Sequence, residues 1–321
     1  MHSFLMLREK LSPLRFDPAL DVPACRQDFL NEYLHFYSIE FPENICRLHC
    51  TGTLEAVNYT IVAQYWVPAI AVPKGTIFIL HGYYDHVGLL KHALQFLLEA
   101  GYVAVAYDQP GHGLSSGEQA SIRDFSEYAD VLQSCLKRCE KNFPKPWYGM
   151  GQSTGGAVLL HALMVEKMAH PFAAVILLAP LIKPVGWNTG VWSYRLLKHV
   201  IKKIPRHFSS NSNDETFVQF CRDKDPLQSK HLSVQWVGAM KEWLDAFHTL
   251  PPINIRGLLI QGEADQTVDW RYNLAIIKER VKGLEYELVP QARHHLLNER
   301  SDLREQVFTR IHQFLLASPQ S

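Results

Sequence analysis

Three residues of this chain have the types and the order that nucleophilic catalysis requires. Ser153 lies in Gly151-Gln152-Ser153-Thr154-Gly155, a G-x-S-x-G pattern, and Asp265 and His294 follow it. A serine hydroxyl is a weak nucleophile unless a base removes its proton during attack, and an acceptor must hold that base in one tautomer. Serine, carboxylate and histidine fill those roles, and in a parallel α/β sheet they arrive in the order Ser, Asp, His, each after a later strand. Glu263 and Asp269 share the loop of Asp265, which is preferred because it stands just past the strand. His295 adjoins His294, and the residues alone do not choose between them.

Acyl transfer also needs donors aimed at the developing oxyanion. The backbone N–H of Thr154, directly after the serine, is one candidate. The other comes from the loop after His81-Gly82, at Tyr83. His81, Asp85, His86 and His112 sit at a strand end and in glycine turns, a context of loop-bracing hydrogen bonds rather than a metal; no metal or cofactor is expected.

The elements that must position these groups can be read from periodicity. Thr76–Leu80, ended by His81-Gly82, is a continuous apolar run, as in a strand buried on both faces of a parallel sheet, and Val103–Asp108 reads as a second such strand. Leu89 to Ala100 reads as a helix stopped by Gly101. Phe125, Tyr128, Leu132, Cys135, Leu136 and Cys139 share one helical face, which makes both cysteines core residues. Lys145–Met150 leads into the serine turn and Val158–Val165 leaves it as a buried helix. Further strands are expected at 173–178, 257–262 and 285–290, with helices at 272–281 and from about 302. Cys46–Cys50 and Tyr59–Val67 are expected to pair as an antiparallel edge. The alternation of strand and helix with short connections predicts a doubly wound, mostly parallel sheet.

Two stretches stand outside that alternation. Residues 1–45, with four prolines, read as an irregular or partly helical lead-in. Residues 181–250 lack buried-strand runs and hold Trp187, Trp192, Trp236 and Trp243. We read them as a helical cap inserted between the core halves 46–180 and 251–321, its tryptophans expected to line a substrate site. Arg195, Lys198, Lys202, Lys203 and Arg206 carry no acid between them, which reads as a solvated face, with transient membrane-surface contact as the alternative.

The chain has 321 residues, 32 basic against 32 acidic side chains, 47% apolar and 20% charged residues. That balance suits a globular enzyme and argues against nucleic acid as a partner. Six cysteines in no tight framework, no signal-peptide pattern and no apolar run of membrane-spanning length give the expectation of a cytoplasmic protein with reduced thiols.

With these residues in place the chain resembles the α/β-hydrolase superfamily, in the branch of monoglyceride lipases, lysophospholipases and serine-aminopeptidase-like hydrolases. The resemblance covers about residues 46–318. It is carried by His81-Gly82 with Asp85-His86, the Asp108–Gly117 turn, Gly151–Gly156, Gly262–Asp269, and His294 through Asn298-Glu299. It implies His294 rather than His295 as the base, supports Asp265 as the carboxylate, and places a lid where the cap is read. After Asp85-His86 the family's usual Ser-x-Arg-Tyr is replaced by Val87-Gly88-Leu89-Leu90. Tyr83 and Tyr84 also stand where monoglyceride lipases have small residues. The expected activity is hydrolysis of lipid-like carboxylic monoesters, monoacylglycerols or lysophospholipids, through an acyl-enzyme on Ser153. The alternatives are an aminopeptidase or amidase, anchoring its substrate amine on Asp214, Glu215, Asp223 or Asp225, and a non-catalytic binding protein on the same scaffold.

Overall fold

The computed structural model describes residues 4–165, 172–187, 189 and 200–317. Apolar alternation builds the central sheet. Along Thr76–Leu80 (β3), Phe78 and Leu80 enter one buried cluster while Ile77 and Ile79 enter the other. Along Val103–Tyr107 (β4), Val103, Val105 and Tyr107 oppose Ala104 and Ala106 in the same way. Successive side chains of a strand point to opposite faces, so a strand apolar at every position must be covered twice.

The other strands are Cys46–Ala56 (β1), Tyr59–Pro68 (β2), Trp147–Gln152 (β5), Phe172–Leu178 (β6), Ile253–Gly262 (β9) and Val281–Val289 (β10). Together these eight form one sheet in the order β1-β2-β4-β3-β5-β6-β9-β10. Only β2 runs antiparallel to its neighbours, β1 and β4. The predicted edge hairpin is therefore present, with β1 longer than the sequence suggests. Helices Asn31–Tyr37 (α1), Lys91–Glu99 (α2) and Ser301–Leu316 (α7) cover the face of Ile77 and Ile79. Ser126–Cys139 (α3), Thr154–Met164 (α4) and Trp270–Arg280 (α6) contribute to the opposite cluster, where Cys135 and Cys139 are buried.

The lead-in is irregular and partly helical, as expected, and it packs into the core: Leu30, Tyr33 and Leu34 have no exposed surface, and Ser12 and Leu14 exchange backbone hydrogen bonds with Thr53. Alternating apolar residues in short pieces do not reveal that packing, because the partner surface is supplied by β1 and β2. Residues 181–250, expected as a helical cap, are not purely helical. Lys203–Pro205 (β7) pairs antiparallel with His231–Ser233 (β8) in a separate two-stranded ladder, and Val234–Phe247 (α5) follows. Strands of three residues leave almost no period in a sequence.

This segment is joined to the sheet by a buried charge pair. Asp225 accepts from the Tyr37 hydroxyl at 2.6 Å and the Leu227 N–H at 3.0 Å, and its Oδ2 lies 2.9 Å from His86 Nε2. Burial disfavours charge on His86, but the Asp225 carboxylate outweighs it and raises the imidazole pKa. Burial likewise opposes the Asp225 charge, and His86 outweighs it in lowering the carboxyl pKa. The raised histidine contributes stability at pH values below its ordinary 6.5 and loses it as pH rises through the folded-state value. The lowered aspartate contributes above its ordinary 3.8 and loses it as pH falls. Asp225→Ala should therefore lower the unfolding free energy most near pH 6, by about 3 kcal/mol, and less at pH 9. Urea unfolding at the two pH values checks this, and equal losses would contradict an ionic origin.

Candidate active site

The turn from β5 into α4 holds Ser153 at φ 53° and ψ −113°, a conformation that costs a non-glycine residue of order 1–3 kcal/mol. Backbone hydrogen bonds lock it there: Ser153 N–H donates to Leu178 O at 2.8 Å, and Ser153 O accepts from Ala157 and Leu181. Two glycines make the turn sterically feasible. A Cβ on Gly151 would stand 2.5 Å from the Gly155 carbonyl carbon, and one on Gly155 would stand 2.0 Å from Leu80 O. The hydroxyl is thereby lifted off the sheet at the N-terminus of an eleven-residue helix.

The loops after β9 and β10 bring the other two groups to it. Ser153 Oγ lies 2.9 Å from His294 Nε2, and His294 Nδ1 lies 2.7 Å from Asp265 Oδ2. An ionised carboxylate only accepts, so Nδ1 carries the hydrogen and Nε2 is free to accept from the serine. Asp265 is oriented by donors from Thr267 N–H at 2.7 Å, Val268 N–H at 3.2 Å and the Gln261 side chain at 3.0 Å. The histidine loop is fixed by Gln152, whose amide donates to His294 O at 2.8 Å. Glu299 accepts from Arg293 N–H at 2.6 Å, and Asn298 donates to Leu89 O at 2.9 Å. These contacts give the Asn-Glu pair after the histidine its physical meaning. Gln152 and Gln261 were missed in the sequence, although a polar residue ending a buried apolar strand must find a partner, and that was the available signal.

The rivals are placed elsewhere. His295 Nε2 pairs with Asp85 Oδ2 at 3.0 Å. Asp269 caps α6 through Tyr272 N–H and faces Lys183 at 3.4 Å, and Glu263 is exposed. His81 donates from Nδ1 to Gly82 O and accepts from Gln109 N–H, and His112 donates to Pro110 O; both brace loops. Burial holds the two imidazoles neutral, at about 3 and about 4 respectively.

A Cβ on Gly82 would be 3.4 Å from Ser153 Cβ, so the loop carrying Tyr83 passes directly beside the serine. Among the described residues, no acceptor takes the Tyr83 or Thr154 N–H. The Tyr83 ring stacks on Trp236 with centroids 3.8 Å apart, and its hydroxyl donates to Ala120 O at 2.6 Å. Above the serine is a cavity of about 370 Å3. Its apolar wall includes Leu181, Val185, Trp187, Leu232, Trp236 and Val237. Trp187 and Trp236 are thus at the cavity. Trp243 is not: it packs on Phe125 at 5.1 Å and on Phe247, inside the core, because α5 turns that face toward α3. Trp192, Arg195 and Lys198 lie outside the described residues. Of the remaining basic run, Lys203 pairs with Glu118 at 3.1 Å, and Arg206 turns inward to the cavity.

None of the four acids weighed as an amine anchor lines the cavity. Asp225 is spent on His86 and Tyr37, and Asp214 caps the short helix Glu215–Gln219. Asp223 pairs with Arg222, and Glu215 is exposed.

Fold and site together define a serine hydrolase of the α/β-hydrolase fold, of the carboxylic ester hydrolase kind. Residues 71–301 match the family described as serine aminopeptidase, S33, and the chain belongs to that family, in the branch shared with monoglyceride lipases. It is 28% identical over 239 residues to the monoglyceride lipase of Rattus norvegicus, covering 71% of this chain and 77% of the relative. Against the Homo sapiens monoglyceride lipase it is 27% identical over 289 residues, 85% of this chain and 92% of the relative. A crystal structure of a soluble variant of Saccharomyces cerevisiae monoglyceride lipase, bound to a substrate analogue, superposes with a TM-score of 0.71. That match has 17% identity and covers 82% of this chain and 93% of the other.

Burial lowers the affinity of His294 for a proton, and the Asp265 charge and hydrogen bond overcome this and raise the pKa above 6.5. Asp265 is lowered, its burial penalty outweighed by the same pair. The imidazole is therefore protonated at pH values where a free histidine would be neutral, and accepts from Ser153 only above its raised pKa. Asp265→Asn should shift the His294 titration, followed by NMR, to lower pH. A midpoint below 6.5 in the unmodified protein would contradict the coupling.

Proposed function

We propose that the chain hydrolyses esters of single-chain lipids, monoacylglycerols or lysophospholipids, through an acyl-enzyme on Ser153. The observation that carries this reading is the unbroken Ser153–His294–Asp265 hydrogen-bond chain opening onto a largely apolar cavity. The names of the sequence relatives support the lipid ester. Among the described residues no helix is long and apolar enough to cross a membrane.

In the proposed reaction Ser153 Oγ attacks the ester carbonyl carbon while His294 Nε2 takes its proton. Asp265 holds the imidazole and offsets the charge that forms on it. The carbonyl oxygen becomes an oxyanion between the Tyr83 and Thr154 N–H groups, at the positive end of α4. Collapse breaks the bond to the alcohol oxygen, which leaves with the proton from His294. Water then attacks the acyl-serine, giving its proton to the same nitrogen, and the fatty acid departs as Ser153 is reprotonated. The cavity's apolar wall takes the acyl chain, each buried methylene contributing about 0.8 kcal/mol.

The aminopeptidase alternative lacks support at the cavity wall, because its four candidate amine anchors are engaged or exposed elsewhere. Fluorophosphonate labelling with p-nitrophenyl ester assays tests the main reading. Ser153→Ala should abolish both, and ester turnover at the unmodified rate would end it.

The tryptophans separate three roles. Trp187→Ala should reduce kcat/KM for a decanoate ester about tenfold or more while acetate changes little, on the methylene scale above. Trp236→Ala should slow both esters, about tenfold or more, because Tyr83 loses the ring that holds its loop and oxyanion donors are geometry-dependent. Trp243→Ala should cost about 3–5 kcal/mol of stability without changing chain-length preference. Identical profiles for all three variants would contradict the separation.

A further inference from the structure

The cavity wall is not uniformly apolar. Arg206, Tyr84, Asp85 and His295 all line it: Arg206 packs on Tyr84, and His295 pairs with Asp85, the next residue in the chain. The Arg206 guanidinium lies 3.8 Å from the Tyr84 ring centroid and 4.2 Å from that of Phe208. Its Nη1 donates to Gln228 Oε1 at 2.6 Å and Ser229 O at 3.2 Å, and its backbone N–H donates to Lys230 O, beside the β7–β8 ladder. The group is therefore packed against two rings and hydrogen-bonded through Nη1. Among the described residues, Nε and Nη2 have no hydrogen-bond partner, and no carboxylate lies within ion-pair distance. Among the described residues, Arg206 is the one lining residue with a permanent positive charge, and Asp85, the one lining carboxylate, is already held by His295.

A preorganised guanidinium with an unfilled edge is suited to an oxyanion group, which it can engage with two parallel hydrogen bonds. Tyr84 follows directly after the proposed oxyanion donor Tyr83, so Arg206 packs on the loop that borders Ser153. It is half-buried, and its neighbours His207 and Ser209, also on the wall, are exposed. That is where the polar end of a monoester would lie while its chain fills the apolar wall. We propose that Arg206 binds an anionic phosphate in the substrate head group and thereby selects lysophospholipids over neutral monoacylglycerols. This rests on the ester-hydrolase reading above.

The test measures kcat/KM of the full chain on oleoyl lysophosphatidate and oleoyl glycerol in the same mixed micelles, with p-nitrophenyl butyrate alongside. The unmodified enzyme should favour lysophosphatidate. Arg206→Gln should reduce the ratio of the two lipid values by at least about tenfold, the scale of a lost charged hydrogen bond. The loss should appear in KM for lysophosphatidate more than in kcat. Arg206→Lys, which keeps the charge without the planar fork, should fall between the two. No preference in the unmodified enzyme, an unchanged ratio in Arg206→Gln, or equal loss on both lipids would overturn the assignment. Failure of the underlying reading has a different signature: p-nitrophenyl butyrate would then resist the unmodified enzyme or survive Ser153→Ala.

Discussion

The site depends on how closely α4 approaches β3. With the would-be Cβ of Gly155 only 2.0 Å from Leu80 O, any side chain there would push the helix away from the sheet and carry Ser153 with it. That contact sets the height of the serine above the strand ends, and so the distance to a histidine arriving from β10. The strained φ of Ser153 is sustained because β6 and the chain after it bond to the same residue on both sides. Strain of this kind survives only where the surroundings over-determine it.

Charge organises the interior next. Three histidine–aspartate pairs, His294–Asp265, His86–Asp225 and His295–Asp85, stand on or near the loops at one edge of the sheet. Each joins segments far apart in the chain, from 29 residues in the first pair to 210 in the last. Buried ion pairs repay their desolvation only with good geometry and extra hydrogen bonds. The first two have them, from the Thr267, Val268, Gln261, Tyr37 and Leu227 donors. The second pair joins the 181–250 segment and the N-terminal helix to the loop after β3. One edge thus serves both to hold the segment and to build the cavity it roofs.

Much of this was legible before any coordinate. The parallel strands announce themselves because a strand covered on both faces must be apolar throughout. The serine turn does so because its glycines answer a steric requirement written locally. Asp265 could be preferred over its neighbours from its position past β9. The β7–β8 ladder could not be read, since three-residue strands show no period. That Trp243 packs in the core rather than at the cavity could not be read for a related reason: an amphipathic helix reveals that it has an apolar face, not which surface that face meets.

Local chemistry and periodicity therefore determined the fold class, the proposed nucleophile and the pool of partners for it, because those depend on residues near one another in the chain. Tertiary structure decided everything that rests on a meeting of distant segments. It turned His294 toward Ser153 and His295 toward Asp85, two neighbours whose sequence context is nearly the same. It spent Asp225 on a core histidine instead of leaving it at the cavity. It drew Arg206 out of an apparently solvated basic run and stacked it on Tyr84. Direction and burial of a side chain follow from the surface packed against it, and that surface comes from residues a hundred or more positions away.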